Sequence, residues 1–226
     1  MIMTARFTLY HFPGACSRVT RAALEQAGLN YETYIVRLME PDSRADYLAI
    51  NPKGKVPALR IGDKLLSENS AILLHLHRYF PDAGLLPFDP GRLGENEAVE
   101  DLIWCSATLH PMTRMVRNPA RFTRTGDVDG IRALGIEYYQ PVLKRLSERF
   151  EAGRWWYGDQ WSIIDAYLNW NYTTAELGGL DLSPYSALRR HCDDTQAQAA
   201  LARVLSFEQE ELRDMGASLS ALPKYD

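Results

Sequence analysis

The stretch Asn51-Pro52-Lys53-Gly54-Lys55-Val56-Pro57-Ala58-Leu59 constrains this chain more than any other. Its Pro and Gly residues force a turn, after which Val56 onward reads as a strand. Gly62-Asp63 then reverses the chain into a second strand that reaches Leu66. Strands joined so closely leave no room for a crossover, so the pair must be antiparallel. A helix follows from Ser70 to Phe80, and Glu68, Asn69 and Ser70 stand at its start. Two unusual features therefore fall close together. Pro57 removes an amide donor where the strand begins and is a candidate for a cis bond. The helix start offers unpaired backbone N–H groups and the positive end of a dipole, which hold a carboxylate. A strand edge beside such a helix tip suits a peptide-like acid.

Upstream, Arg6-Phe7-Thr8-Leu9-Tyr10 reads as a strand, and Pro13-Gly14 turns the chain into a helix from Cys16 to Ala27. Val19, Ala23 and Leu24 give that helix an apolar stripe, and Gly28 ends it. Asn30 to Arg37 reads as a second strand, parallel to the first through a right-handed crossover. The run from Pro81 to Gly91 continues neither helix nor strand and marks a domain boundary. Beyond it the alternation of strands disappears. Helical periodicity covers Arg92 to Val116, Ile131 to Phe150, Ile163 to Glu176, and Pro184 to Met215 with a break near Asp193-Asp194. Residues 117–130 read as a long polar loop.

A formal net charge of -4 and a pI near 5.8 give no general attraction to nucleic acid or anionic lipid. No apolar run suits a signal peptide or a membrane span, so the expected setting is cytoplasmic. Cys16, Cys105 and Cys192 are too widely spaced for a disulfide framework or a metal knuckle, and His75 and His77 diverge on a helix, so no metal site is expected.

Cys16 is the leading nucleophile candidate, because a helix start favours a thiolate, with Ser17 beside it as a possible cap. Cys105 and Cys192 sit in apolar stripes and read as core. Tyr10 lies in the strand, where its ring either packs or presents a hydroxyl. His11 either meets a thiolate, as hydrogen-bond donor or proton acceptor, or faces solvent. Ser162-Ile163-Ile164-Asp165 has the spacing of a capping box and reads as structural.

The runs "YLAINPKGKVPAL" and "LLSENSAIL" resemble the glutathione-binding half of the soluble glutathione transferases. The run "YHFPGACSRVTRAALEQAGLNYE" is most similar to their bacterial beta class, and "YGDQWSIIDAYLNW" extends the resemblance across most of the chain. It implies an α/β thioredoxin-like domain over residues 1–81 and an all-α domain over 92–226. It also implies glutathione as co-substrate, a small electrophile as acceptor, and a homodimer. On that resemblance Cys16, Tyr10 and His11 are catalytic candidates, while Cys16, Lys55, Val56, Pro57, Glu68, Asn69 and His110 bind glutathione. The chain departs from the beta-class pattern at His11, where a tyrosine is usual, and at Asn69, where a serine or threonine is. Met39 replaces a lysine that meets the glycyl carboxylate, with Arg37 and Arg44 as substitutes. Pro111 follows His110 and should kink its helix. The implied activity is conjugation of glutathione to electrophiles. The alternatives are a Cys16-dependent thiol transferase, reductase or dehalogenase, and a non-catalytic binding protein.

Overall fold

The computed structural model describes residues 6–38, 40–87 and 94–217. Its first compact unit holds the chain through Leu85 and takes back the last helix from Ala199 onward. The unit begins with β1 (Phe7–His11), α1 (Ser17–Gln26) and β2 (Tyr31–Ile35), and continues with α2 (Pro41–Ile50), β3 (Ala58–Ile61), β4 (Lys64–Ser67) and α3 (Asn69–Tyr79). The sheet order is β2-β1-β3-β4, with β1 parallel to β2 and the other pairs antiparallel. This is the expected thioredoxin-like arrangement, and the tight β3–β4 reversal is as the Gly62-Asp63 turn requires.

Leu9 on β1 and Val19, Ala23 and Leu24 on α1 are completely buried. Each larger side chain of that set contributes roughly 1.5–3 kcal/mol by leaving water. The helix α2 breaks the expected pattern. Its start is well marked by Pro41 in the first turn and by Asp42, but only Tyr47 is buried, so it carries no apolar stripe to read.

The second unit, Leu86–Gln198, is helical. Its helices are α4 (Glu95–Ile103), α5 (His110–Arg117), α6 (Val128–Ala152), α7 (Ile163–Glu176) and α8 (Ser186–Gln196). Residues Trp104–Leu109 form a π-helical turn between α4 and α5. Pro111 explains it, because proline has no N–H to give the preceding turn and its ring crowds that turn's carbonyl. Within 117–130, Pro119–Phe122 forms a short 3-10 turn, and α6 starts earlier than expected where Asp127 accepts from the Gly130 N–H at 2.9 Å. Ser162 and Asp165 form the expected capping box at the start of α7. The break after α8 falls at Ala197-Gln198 rather than at Asp193-Asp194, whose acidic pair stays helical with Asp194 bound to Arg154. Beyond that break, α9 (Ala199–Asp214) belongs to the first unit. Every element described after residue 94 is helical, as expected, with α9 grouping with the first unit rather than with the other helices.

Candidate functional site

The strand expected from Val56 begins at Ala58, and Val56 lies in the edge just ahead of it, which the preceding turn holds in place. Gly54 closes the preceding turn by donating to the Asn51 carbonyl at 2.8 Å, with a φ of 60° that favours glycine. The Tyr47 hydroxyl and the Asn51 amide both donate to the Lys55 carbonyl, at 2.7 and 2.9 Å. Burial pushes the Tyr47 phenol up to about 12 against the opposing Asn51 hydrogen bond, so it remains a donor at physiological pH. Tyr47 and Asn51 were not singled out by sequence reasoning, although both lie in the run that ends at Leu59. The Val56–Pro57 bond is cis, as expected. Among the described residues the Val56 N–H has no backbone partner.

Cys16 stands at the mouth of α1, 4 % exposed, and its Sγ donates to the Val56 carbonyl at 3.5 Å. A thiol and a peptide edge whose N–H has no backbone partner among the described residues are thereby adjacent. The Ser17 hydroxyl does not cap the helix; it turns back to His11 and Phe12. Glu68 caps the third side. It is exposed, its carbonyl accepts from Ile72 N–H at 3.0 Å to start α3, and its carboxylate meets Lys53 Nζ at 3.0 Å. Its φ of 74° and ψ of 122° are unfavourable for any residue with a Cβ.

Three expected contacts are corrected. Asn69 is buried, and its amide is consumed by the protein: Nδ2 donates to the Cys16 carbonyl at 3.0 Å and Oδ1 accepts from Thr20 Oγ1 at 2.5 Å. It ties the tip of α3 to the mouth of α1, a structural role in place of the expected ligand contact. Tyr10 packs among Val36, Tyr47 and Ala58, and its hydroxyl is turned to Arg60, accepting from Nε at 3.2 Å. His11 neither meets the Cys16 sulfur nor faces solvent. It is completely buried, with Nδ1 at 2.8 Å from Ser17 Oγ and Nε2 turned toward Glu208 and Glu211 of α9.

Lys55 is exposed, and its carbonyl is the group that builds the edge. Met39 lies outside the described residues. Arg37 donates to Glu40 at 3.0 Å. In the helical unit, His110 Nε2 accepts from Arg114 Nε at 3.1 Å and its ring meets Trp170 edge-on at 4.6 Å. Cys105 is completely buried, and burial first, then Asp101 and Asp165, push its thiol well up. Burial likewise raises Cys192. Cys105 is core, as expected, whereas Cys192 is only half-buried on α8 and departs from that expectation. A depression of about 500 Å³ in this unit is lined by Glu100, Asp101, Arg145, Glu148, Trp156 and Tyr157, among others. Asp101 there accepts from Trp156 Nε1 and the Tyr157 hydroxyl at 2.7 and 2.6 Å, which makes it a structural anchor.

Residues 5–78 match the family described as the glutathione S-transferase N-terminal domain. The chain is 32 % identical to glutathione S-transferase GST-4.5 of Xanthomonas campestris pv. campestris, covering 85 % of this chain and 96 % of that one. The chain belongs to the glutathione S-transferase family. It is also 29 % identical to maleylacetoacetate isomerase of Pseudomonas aeruginosa, over 84 % of this chain and 91 % of the isomerase. A sphingomonad glutathione S-transferase solved in complex with glutathione superposes with a TM-score of 0.78 at 28 % identity, covering 89 % of this chain and 98 % of that one. The chain thus shares its fold with a protein that holds glutathione.

In this chain, His11 sets a pH dependence. Burial, then Arg21 and Arg18, push its imidazole well below the usual histidine value. The unfolded chain therefore binds a proton near pH 6.5 that the folded chain refuses, and stability present above that pH is lost as pH falls. Glu211, raised by burial, opposes this in the carboxylate range, and half-exposed His75 adds to it. Comparison of wild type with His11→Asn isolates the His11 part. Between pH 6.5 and 5 the wild type should lose stability faster, by up to about 1.4 kcal/mol per pH unit. Equal slopes in urea titrations at several pH values contradict this.

Proposed function

We propose that this chain is a beta-class glutathione transferase that presents the thiolate of glutathione to a small hydrophobic electrophile. The observation that carries the reading is the adjacency of the Cys16 thiol and the Val56 edge, 3.5 Å from sulfur to carbonyl, with the Glu68 tip opening the next helix. Glutathione matches these groups in kind. Its cysteinyl peptide pairs with Val56, its γ-glutamyl ammonium meets Glu68, and its γ-glutamyl carboxylate takes the N–H groups at the start of α3. Cys16 then stands beside the glutathione sulfur. Glutathione's thiol gives up its proton, the sulfur bonds to the electrophilic carbon, and the leaving group departs with the electron pair. The Pro13-Gly14-Ala15-Cys16 turn supports the beta-class assignment. We place the protein in the cytoplasm as a homodimer, on the family's habit.

The second reading makes Cys16 itself the nucleophile in thiol–disulfide exchange, and it is favoured by the same adjacency of sulfur and edge. The name of the Pseudomonas relative adds isomerisation as a third reaction class. Cys16→Ser separates the first two. A serine hydroxyl still donates a hydrogen bond to a bound thiolate but does not exchange with a disulfide. With a chloronitrobenzene acceptor the wild type should conjugate and the variant should keep part of that rate, while reduction of a glutathione mixed disulfide vanishes. Wild type that reduces without conjugating, wholly dependent on Cys16, overturns the ranking.

A further inference from the structure

Behind the mouth of α1 lies a set of buried charges that the glutathione reading does not use. Arg18 and Arg21 are held in the first unit by α9, where Arg18 Nε donates to Glu208 Oε2 at 2.8 Å and Arg21 Nη1 to both Glu211 oxygens at 2.8 and 3.0 Å. Arg21 also stacks over Phe207 and faces the Tyr31 hydroxyl. The two arginines and two glutamates balance, so a neutral His11 fits among them and a charged one does not. Two polar atoms in this set have no hydrogen-bond partner among the described residues, His11 Nε2 and Glu208 Oε1. They face each other at 3.5 Å, with Glu211 Oε2 next at 3.7 Å.

That facing fixes the imidazole. A bare nitrogen lone pair directed at two carboxylates is repelled, so Nε2 carries the proton and Nδ1 does not. Nδ1 must then accept the Ser17 hydroxyl hydrogen across 2.8 Å. With its hydrogen committed, Ser17 Oγ is left as an acceptor for the Phe12 N–H at 3.4 Å, and the turn from Phe12 to Cys16 is pinned at both ends. We propose that Glu208 is a positioning residue for Cys16, acting from the far end of the chain through the His11 imidazole and the Ser17 hydroxyl. The functional meaning rests on the reading of Cys16 as the group beside the glutathione sulfur. The positioning itself can be measured without glutathione.

Removing the Glu208 carboxylate leaves only Glu211, farther off at 3.7 Å and already bound by Arg21, facing Nε2; His11 can then carry its proton on Nδ1, reverse the Ser17 bond, and loosen the turn that keeps Cys16 covered and bound to Val56. Glu208→Gln alone leaves the Arg18 guanidinium unbalanced, so the neutral pair Arg18→Gln with Glu208→Gln is measured beside it. Two readouts on the full chain decide the matter: imidazole nitrogen NMR for the His11 tautomer, and the rate of Cys16 alkylation by iodoacetamide with peptide mapping. Wild type should show His11 protonated on Nε2 only. The neutral pair should populate the Nδ1–H form and alkylate Cys16 about tenfold faster, and the same change in a His11→Asn background should add nothing, because the imidazole that links Glu208 to Ser17 is then gone. Wild-type His11 protonated on Nδ1, alkylation unchanged within about twofold, or an equal rise in the His11→Asn background overturns the proposal. Absence of glutathione binding by the wild type, read by calorimetry, removes the site reading and leaves these outcomes to decide the positioning.

Discussion

Asp165→Ala should cost roughly 3–5 kcal/mol of stability, the largest loss expected of any single substitution considered. The carboxylate is completely buried and serves four donors at once: the Trp156 N–H at 2.7 Å, the Ser162 N–H at 2.9 Å, the Ser162 hydroxyl at 3.2 Å and His191 Nε2 at 3.1 Å. Alanine leaves two buried backbone amides and a buried imidazole without their acceptor, and it also opens the capping box that starts α7. In a chain of this length such a loss lowers the melting midpoint on the order of 10 °C. Thermal and urea denaturation of the variant check this. A loss under about 1 kcal/mol means that water or a shifted neighbour takes over all four donors, and the box is then not the anchor proposed.

Much of this anchoring was legible because it is local. The Ser162-to-Asp165 spacing, the β3–β4 reversal at Gly62-Asp63 and the strand edge at Val56-Pro57 each need only a few consecutive residues. The apolar stripe of α1 was also readable from Val19, Ala23 and Leu24. Its other face was not. Arg18 and Arg21 look like solvated residues in sequence, yet their partners Glu208 and Glu211 lie 190 positions away. No periodicity links them, and only the return of α9 to the first unit buries them. The same return decides His11, whose two sequence alternatives were a thiolate contact and solvent; a buried carboxylate was not among them. Asn69 was misread for a related reason. A polar residue at a helix start reads as a ligand group, but Thr20 and the Cys16 carbonyl take its amide from across the unit. The helix α2 carries start signals without a stripe, since its outer faces meet water.

Glu68→Gly should weaken glutathione binding by roughly 10- to 150-fold while leaving the fold as stable as before or more so. Both halves follow from one residue. The carboxylate is the proposed partner of the ligand's ammonium, and its loss removes a charge-assisted hydrogen bond of roughly 1.5–3 kcal/mol. The backbone at Glu68 has φ 74° and ψ 122°, a region that costs a residue with a Cβ on the order of 1–3 kcal/mol and costs glycine far less. Glycine's greater freedom in the unfolded chain offsets about 0.5–1 kcal/mol of that gain. Lys53 loses a partner too, but both side chains are exposed, so that pair contributes little. A variant that folds better and binds worse separates the role of Glu68 in recognition from any role in structure.

In the proposed site the Val56 edge, the Cys16 thiol and the Glu68 tip together hold glutathione. Calorimetric titration of the wild type and of Glu68→Gly with glutathione, under identical conditions, tests it most directly. The account predicts saturable binding to the wild type and affinity at least about tenfold weaker in the variant, with the melting midpoint undiminished. Equal affinities in the two proteins, or no binding to the wild type, would contradict it.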